Sequence, residues 1–450
     1  MNVKVIMNTT AHHRPAAKAR LAIASALSEW RLRAERAKTS RPSFTLVELL
    51  VTVAVIGIMA GMILFALSGV RRDSLNAKTR STIKKINEII LHRWEEFRYR
   101  GAKINVPDAF LQRIPQVTGN PLSGQVPISP REGARARMMI LRDTMRMELP
   151  DRYADIWYPP SIYKIAAFSG DNGPPNNNIV PDSLVVTPSN GFIPRQVPGS
   201  YNSFREKMGL PPLGNPYVTP NVTPVPAPYP PITTMVQYEN AEWLYQIVAS
   251  SSYNGSTGLE MFHPSEIGDV DSDGMPEFID AWGQPIMWLR WPAGYGVVDA
   301  SSVPAAQRAQ YIQERRPPDS ILNDTSTPDP LDSLHTDWRW TNSRFNNVQK
   351  PWMLVPLIVS AGADGMFDLQ FDTSPSTIYA VQTWTFGTDS TAHTSGGPYY
   401  FVDPYVGFYD TSQNPAVAGA GGLGQFIDED SSTSTIGTTD NITNYEIILE

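Results

Sequence analysis

Between Asp269 and Asp280 the chain reads DVDSDGMPEFID, with carboxylates at Asp269, Asp271 and Asp273 and a glycine, Gly274, directly after them. Oxygen ligands at alternate positions before a sharp turn can converge on one hard cation. Glu277 and Asp280 stand at the ninth and twelfth places of such a loop, where further oxygens are supplied. The chemistry this spacing predicts is calcium binding; the alternative is an exposed acidic turn. Glu48 is a carboxylate of a different kind. It sits at the entrance of an apolar run, Leu49 to Leu67, that is long enough to cross a bilayer as a helix. A charge placed there is costly unless it finds a partner, so it reads as functional. No comparable case exists for catalysis. His12, His13, His92, His263, His335 and His393 are scattered without a zinc-chelating pair, and there is neither a G-x-S-x-G elbow nor a phosphate loop. The expectation is that the protein is not an enzyme.

Composition bounds what can hold these residues in place. The 450 residues include no cysteine, which excludes disulfides, thiolate metal sites and cysteine nucleophiles. Forty prolines signal long irregular connections. Residues 1–43 carry a net charge of +7, leaving −14 for the remainder of a chain whose net charge is −7. A basic segment before an apolar run places that end in the cytoplasm. The acidic remainder argues against nucleic acid and is compatible with divalent cations.

The elements follow from periodicity. No proline or glycine interrupts residues 71–100, and Ile83, Ile86, Ile90, Trp94 and Phe97 recur at spacings of three and four. Residues 44–100 are therefore expected to form one helix of about 85 Å, apolar all round in its first half and amphipathic in its second. A helix is predicted over 132–149, ended by Pro150, with Met138, Leu141 and Met145 on a core-facing side. A strand is expected at 162–168, and extended polyproline-like chain over 209–231. A helix is expected over 239–251, paired strands at 286–289 and 297–298, and an inserted loop over 301–350. A buried strand is predicted over 353–360 and a last strand over 442–449. Five segments result: a basic leader (1–43), a membrane stem (44–70), its amphipathic continuation (71–104), a Pro-rich elaborated region (105–235) and a β region with the acidic loops (236–450).

The stretch Phe44-Thr45-Leu46-Val47-Glu48-Leu49-Leu50 resembles the prepilin cleavage-and-methylation segment of type IV pilins and type II secretion pseudopilins. Ser43 stands where that family usually has glycine. The resemblance implies cleavage between Ser43 and Phe44 by prepilin peptidase, N-methylation of Phe44, and a role for Glu48 in assembly. The loop at 269–280 resembles EF-hand-like and dockerin-like calcium loops, with Pro276 departing from the pattern. Further on, Asp280-Ala-Trp282-Gly283-Gln-Pro285 looks like the D-x-W-G-x-P strand entry of the major pseudopilin. Ser360-Ala-Gly362-Ala-Asp364-Gly365 looks like that family's later turn, and 439–445 resembles its closing segment. In that family the turn and closing segment bind one calcium ion, which implies Asp364 and Asn441 as ligands here. Asn441 is a neutral amide where an acid is usual, so the alternatives are that Asp440 substitutes as a donor or that affinity is weaker.

Together these resemblances imply an α+β, pilin-like fold: a long hydrophobic N-terminal helix on a small antiparallel sheet, with large irregular Pro-rich insertions. They imply a single-pass inner-membrane protein, N-terminus cytoplasmic and C-terminal part external, that assembles with other pilin-like subunits into a homo- or hetero-filament with calcium as cofactor. The rival reading is a membrane-anchored, externally facing calcium-dependent adhesion module that uses the same stem only as a tether.

Overall fold

The apolar run and the stripe after it form one helix. The computed structural model describes residues 45–102, 130–157, 196–215, 238–253, 255–297, 327–340, 345, 349–371, 381–384, 399–405, 407–410, 417–418, 421–427 and 440–448. In it α1 runs unbroken over Leu46–Tyr99. Glu48 in its first turn and Arg98 in its last complement the helix dipole. The chain divides into two units, Met1–Arg71 and Arg72–Glu450. In the first, every described side chain is exposed, from Leu46 and Val47 to Phe65 and Val70. A helix with an apolar surface on all sides is suited to lipid or to other helices, and this one is long and apolar enough to span a membrane.

The second unit is built on the predicted stripe. Ile83, Ile86, Ile90, Trp94 and Phe97 are all buried, and Ile89 joins them. After α1 come α2 (Pro130–Glu148), α3 (Tyr153–Trp157), α4 (Gly199–Lys207) and α5 (Glu239–Ala249). The short strands β1 (Ser252–Tyr253), β2 (Ser256–Thr257), β3 (Ile267–Gly268) and β4 (Glu277–Phe278) follow, paired as two antiparallel hairpins. Then come β5 (Met287–Leu289), β6 (Leu357–Ser360), β7 (Val381–Trp384), β8 (Tyr399–Val402), β9 (Tyr409–Asp410), β10 (Val417–Ala418), β11 (Ile442–Thr443) and α6 (Asn444–Ile448). The central sheet is antiparallel in the order β11-β6-β5, with Trp288 opposite Ile358 and Ile442 opposite Ser360. Its strands are continuous buried runs because both faces are covered. Trp243, Leu244, Ile247 and Val248 of α5 share this core with the α1 stripe.

Three expectations change. Strand 286–289 does not pair with 297–298: β5 pairs with β6, while the Val297 N–H donates to Gly294 O within a turn, and Val298 lies outside the described residues. The closing segment is strand for only two residues before it becomes α6. Where Asn444 would continue the ladder opposite Ile358, its side chain takes over: Oδ1 accepts the Ile358 N–H at 2.9 Å, and Nδ2 donates to Pro356 O at 3.0 Å and Asn87 Oδ1 at 2.8 Å. With the ladder bond met by a side chain, the backbone is free to turn helical. Third, the strand expected over 353–360 is strand only over Leu357–Ser360. The described residues of the inserted loop over 301–350 are held by buried charges. Buried Arg142 of α2 donates to Asp329 at 2.7 Å and Asp337 at 2.9 Å, and Arg339 links Asp337 to Asp403. Burial pushes the Asp337 carboxyl up, but Arg339 and Arg142 outweigh it and hold it below its ordinary value. The expected strand at 162–168 lies outside the described residues.

Removing one member of a buried ion pair leaves an uncompensated charge. Arg142→Ala is therefore expected to destabilise the protein by about 3–5 kcal/mol in denaturant unfolding. A loss under about 1 kcal/mol would mean that the Asp329–Asp337 segment is only loosely attached.

Candidate functional site

Three places carry notable carboxylates, one in the first unit and two in the second. In the first, Thr45 and Glu48 cap the start of α1 reciprocally. The Glu48 N–H donates to Thr45 Oγ1 at 3.2 Å, while the Thr45 N–H and hydroxyl both donate to Glu48 Oε2 at 3.1 Å. This is a capping box, in which side chains meet the orphan N–H groups of a helix start. Its T-x-x-E spacing is present in the sequence, where Glu48 is marked out by its charge and by the prepilin-like motif rather than by capping. Ser43 and Phe44 lie outside the described residues.

In the second unit, β3 and β4 place the acidic loop. Their register sets Gly268 opposite Glu277, so the residues between them form the tip of a hairpin. Gly274 adopts a φ of 96°, which permits the sharp turn that the alternating carboxylates require. Within the tip, Asp271 Oδ1 accepts the Asp273 N–H at 3.4 Å and Asp273 Oδ1 accepts the Met275 N–H at 2.7 Å. Glu277 Oε2 accepts the Val270 N–H at 2.9 Å. The ligand oxygens of Asp271, Asp273 and Glu277 meet that of Glu242, from α5, with all four within 4.8 Å of one another. Glu242 and Glu277 are fully buried while the two aspartates are exposed. This group could hold a metal ion.

Electrostatics agree with four crowded carboxylates. Burial, then the charges of Asp273, Asp271 and Glu277, push Glu242 up to about 8. Burial, followed by Asp271, Asp269 and Asp273, pushes Glu277 up to about 7 against the Val270 hydrogen bond.

Not all the expected ligands join the cluster. Asp269 Oδ2 accepts the Gly274 N–H at 3.2 Å and braces the turn instead. Asp280 is buried with both oxygens engaged: Oδ1 accepts from the Trp282 and Gln284 N–H groups at 2.8 and 2.9 Å, and Oδ2 accepts the Ser360 hydroxyl at 2.7 Å. Asp280 thus fixes the D-x-W-G-x-P entry of β5 onto β6. Glu242 was missed in the sequence because it lies some thirty residues before the loop on a helix, with no local spacing to signal it.

The later turn also assembles. Asp440 Oδ2 accepts the Ala363 and Asp364 N–H groups at 2.8 and 3.1 Å, and Asp364 Oδ1 accepts the Met366 N–H at 2.9 Å. Only glycine fits at Gly362, where a Cβ would lie 2.3 Å from Asp440 O. Asn441 Nδ2 donates to Phe367 O at 2.6 Å, and its Oδ1 is buried without a hydrogen-bond partner. Asn441 thus holds an unpartnered amide oxygen in the segment that also carries Asp440.

Residues 40–64 match the prokaryotic N-terminal methylation motif. That motif, on a long apolar N-terminal helix, fits a type IV pilin or pseudopilin. It implies processing by prepilin peptidase and a membrane-anchored precursor. No curated protein and no solved structure matches the chain.

The raised carboxyls give a pH dependence with a definite sign. Folded Glu242 and Glu277 keep protons up to about 8 and about 7, whereas the unfolded chain releases them near 4.5. Between those limits the folded state binds more protons, so metal-free protein should lose stability as pH rises through that window. In chelator, the thermal midpoint is expected to fall from pH about 5 to about 8, and Glu242→Gln should flatten the fall. An equal slope in the variant would assign the titration to other groups.

Proposed function

We propose that this chain is a structural subunit of a filament of the type II secretion or type IV pilus kind. The observation that carries this reading is the helix surface from Leu46 to Val70, apolar on every side, with Glu48 alone at its head. In this scheme the leader 1–43 is removed before Phe44, the new amine is methylated, and the subunit waits in the inner membrane with its N-terminus cytoplasmic and its larger part external. Assembly bundles the apolar helices. Glu48, one helical turn from the cut, then pairs with the free amine of a neighbouring Phe44, so the carboxylate is neutralised by charge only in the filament. The role is mechanical, and no side chain is given a catalytic part.

Calcium is the ion proposed for the acidic cluster of the second unit, and also for the Asp364, Asp440 and Asn441 turn. Hard oxygen donors without a nitrogen or sulfur ligand suit it, and a cation bound only by the folded chain stabilises that chain by mass action. In a protein without cysteine this supplies the fastening that disulfides give other exported domains.

Glu48→Ala should remain membrane-inserted yet fail to enter crosslinked oligomer ladders, while the wild-type chain forms them and its extracted N-terminus reads N-methyl-Phe from residue 44. Wild-type protein that stays monomeric in the membrane would favour the tethered adhesion module. Normal incorporation of Glu48→Ala would remove the pairing mechanism.

A further inference from the structure

Resting on the reading that calcium occupies the acidic cluster, we infer that its ligand set is Glu242, Asp271, Asp273 and Glu277, and that the ion clamps the β3–β4 loop to α5 and, through Tyr153, to α3. The loop by itself does not make the site. The strongest observation is a pair of orphan oxygens. Glu242 and Glu277 are fully buried, and each engages only one oxygen: Glu242 Oε2 accepts the Tyr153 hydroxyl and Glu277 Oε2 accepts the Val270 N–H. Oε1 of each is buried with no hydrogen-bond partner. Buried polar atoms are nearly always satisfied, so two orphan carboxylate oxygens in one cluster of four acids point to a cation.

The dimensions agree. Opposite ligands of a calcium ion stand about 4.6–5.2 Å apart, twice the usual bond length. All four ligand oxygens here lie within 4.8 Å of one another. Magnesium sheds its water reluctantly and is usually held by only one or two carboxylates, so a set of four favours calcium. The two exposed aspartates face the solvent side, where water can complete the coordination, and the two glutamates close the buried side. Asp280, which the loop pattern nominates, is excluded because both its oxygens already serve the β5 entry, and Asp269, whose Oδ2 accepts the Gly274 N–H, is not among the four residues whose ligand oxygens converge.

The clamp has a reach beyond the loop. Tyr153 opens α3, and besides its hydroxyl bond to Glu242 its N–H donates to Glu239 Oε2 at 2.7 Å. Its ring packs edge-on against Trp243, with centroids 5.4 Å apart. An ion that fixes Glu242 therefore fixes the start of α3, and with it the end of the α2 segment.

Terbium, a calcium-sized luminescent probe excited through tyrosine and tryptophan, tests this on the full chain in detergent. Every protein carries Asp364→Asn to silence the other turn. Terbium should bind and be displaced by calcium, and hydrogen exchange of residues 153–157 should slow when calcium is added. Glu242→Gln keeps an acceptor for Tyr153, and its circular dichroism in chelator should match the parent. It should weaken terbium binding on the order of tenfold or more and abolish the protection of 153–157. Asp269→Asn should bind within about threefold of the parent. Undiminished binding in Glu242→Gln overturns the ligand set while leaving calcium in the loop. No binding of terbium or calcium by the parent overturns both, and neither result touches the filament reading, which rests on Glu48.

Discussion

A single unbroken helix has to satisfy two environments, and the rest of the molecule follows from how it does so. Over Leu46–Val70 its side chains are apolar in every direction and exposed. Beyond Arg72 only one stripe is apolar, and that stripe is buried. Helical geometry makes the division possible. Side chains three and four apart share a face, so Ile83, Ile86, Ile90, Trp94 and Phe97 commit one side to the core while Lys84, Glu88 and Glu95 stay in water. Polar residues then fix its rotation. Thr82 and Lys85 both bind Glu266, at 2.5 and 2.9 Å, Thr79 Oγ1 accepts the Ala281 N–H, and Arg93 reaches Ser251 at 3.0 Å. Hydrophobic burial keeps the stripe inward; these bonds add directional restraint on the rotation and axial position of the helix.

A second constraint is the absence of cysteine in a proline-rich chain. Its described segments between helices and strands are held by buried charges. Arg290 meets Asp155 at 2.8 Å and Asp151 at 3.2 Å, and donates to Leu149 O at 2.6 Å, joining the end of β5 to the α2–α3 turn. Burial raises the Asp151 carboxyl, but Arg290 and Arg152 overcome it and hold the group below its ordinary value. Such pairs add little over well-packed apolar residues, yet breaking one is costly, so they oppose displacement of the segments they join. The acidic cluster near Glu242 differs because its charges share one sign. Four carboxylates packed together favour protons or a cation over their own ionised form, the reverse of the arginine pairs.

How much of this was legible depended on whether the information was local. The stem helix, its stripe and the end of α2 before Pro150 were readable because periodicity and proline act within a few residues. Asp271, Asp273 and Glu277 were readable for the same reason, since alternate spacing and a following glycine dictate a turn. Asp280 falls in two overlapping local patterns, and its contact with Ser360, eighty residues away, places its carboxylate at the β5 entry. Asn444 looked like part of a last strand; its side chain bond to Ile358 ends the ladder and starts a helix.

By itself, the sequence determined an exposed apolar helix with one carboxylate at its head and an amphipathic continuation, because a helix face and a membrane span are written in consecutive residues. It also excluded disulfides from the remainder, since the chain has no cysteine. Tertiary structure alone decided which carboxylates meet. Glu242 reaches the loop only because α5 packs beside β4, and Asp440 reaches the Gly362 turn only because β11 pairs with β6. Such convergence over long stretches of chain leaves no mark in local spacing, since it follows from how separate elements bury their apolar faces together.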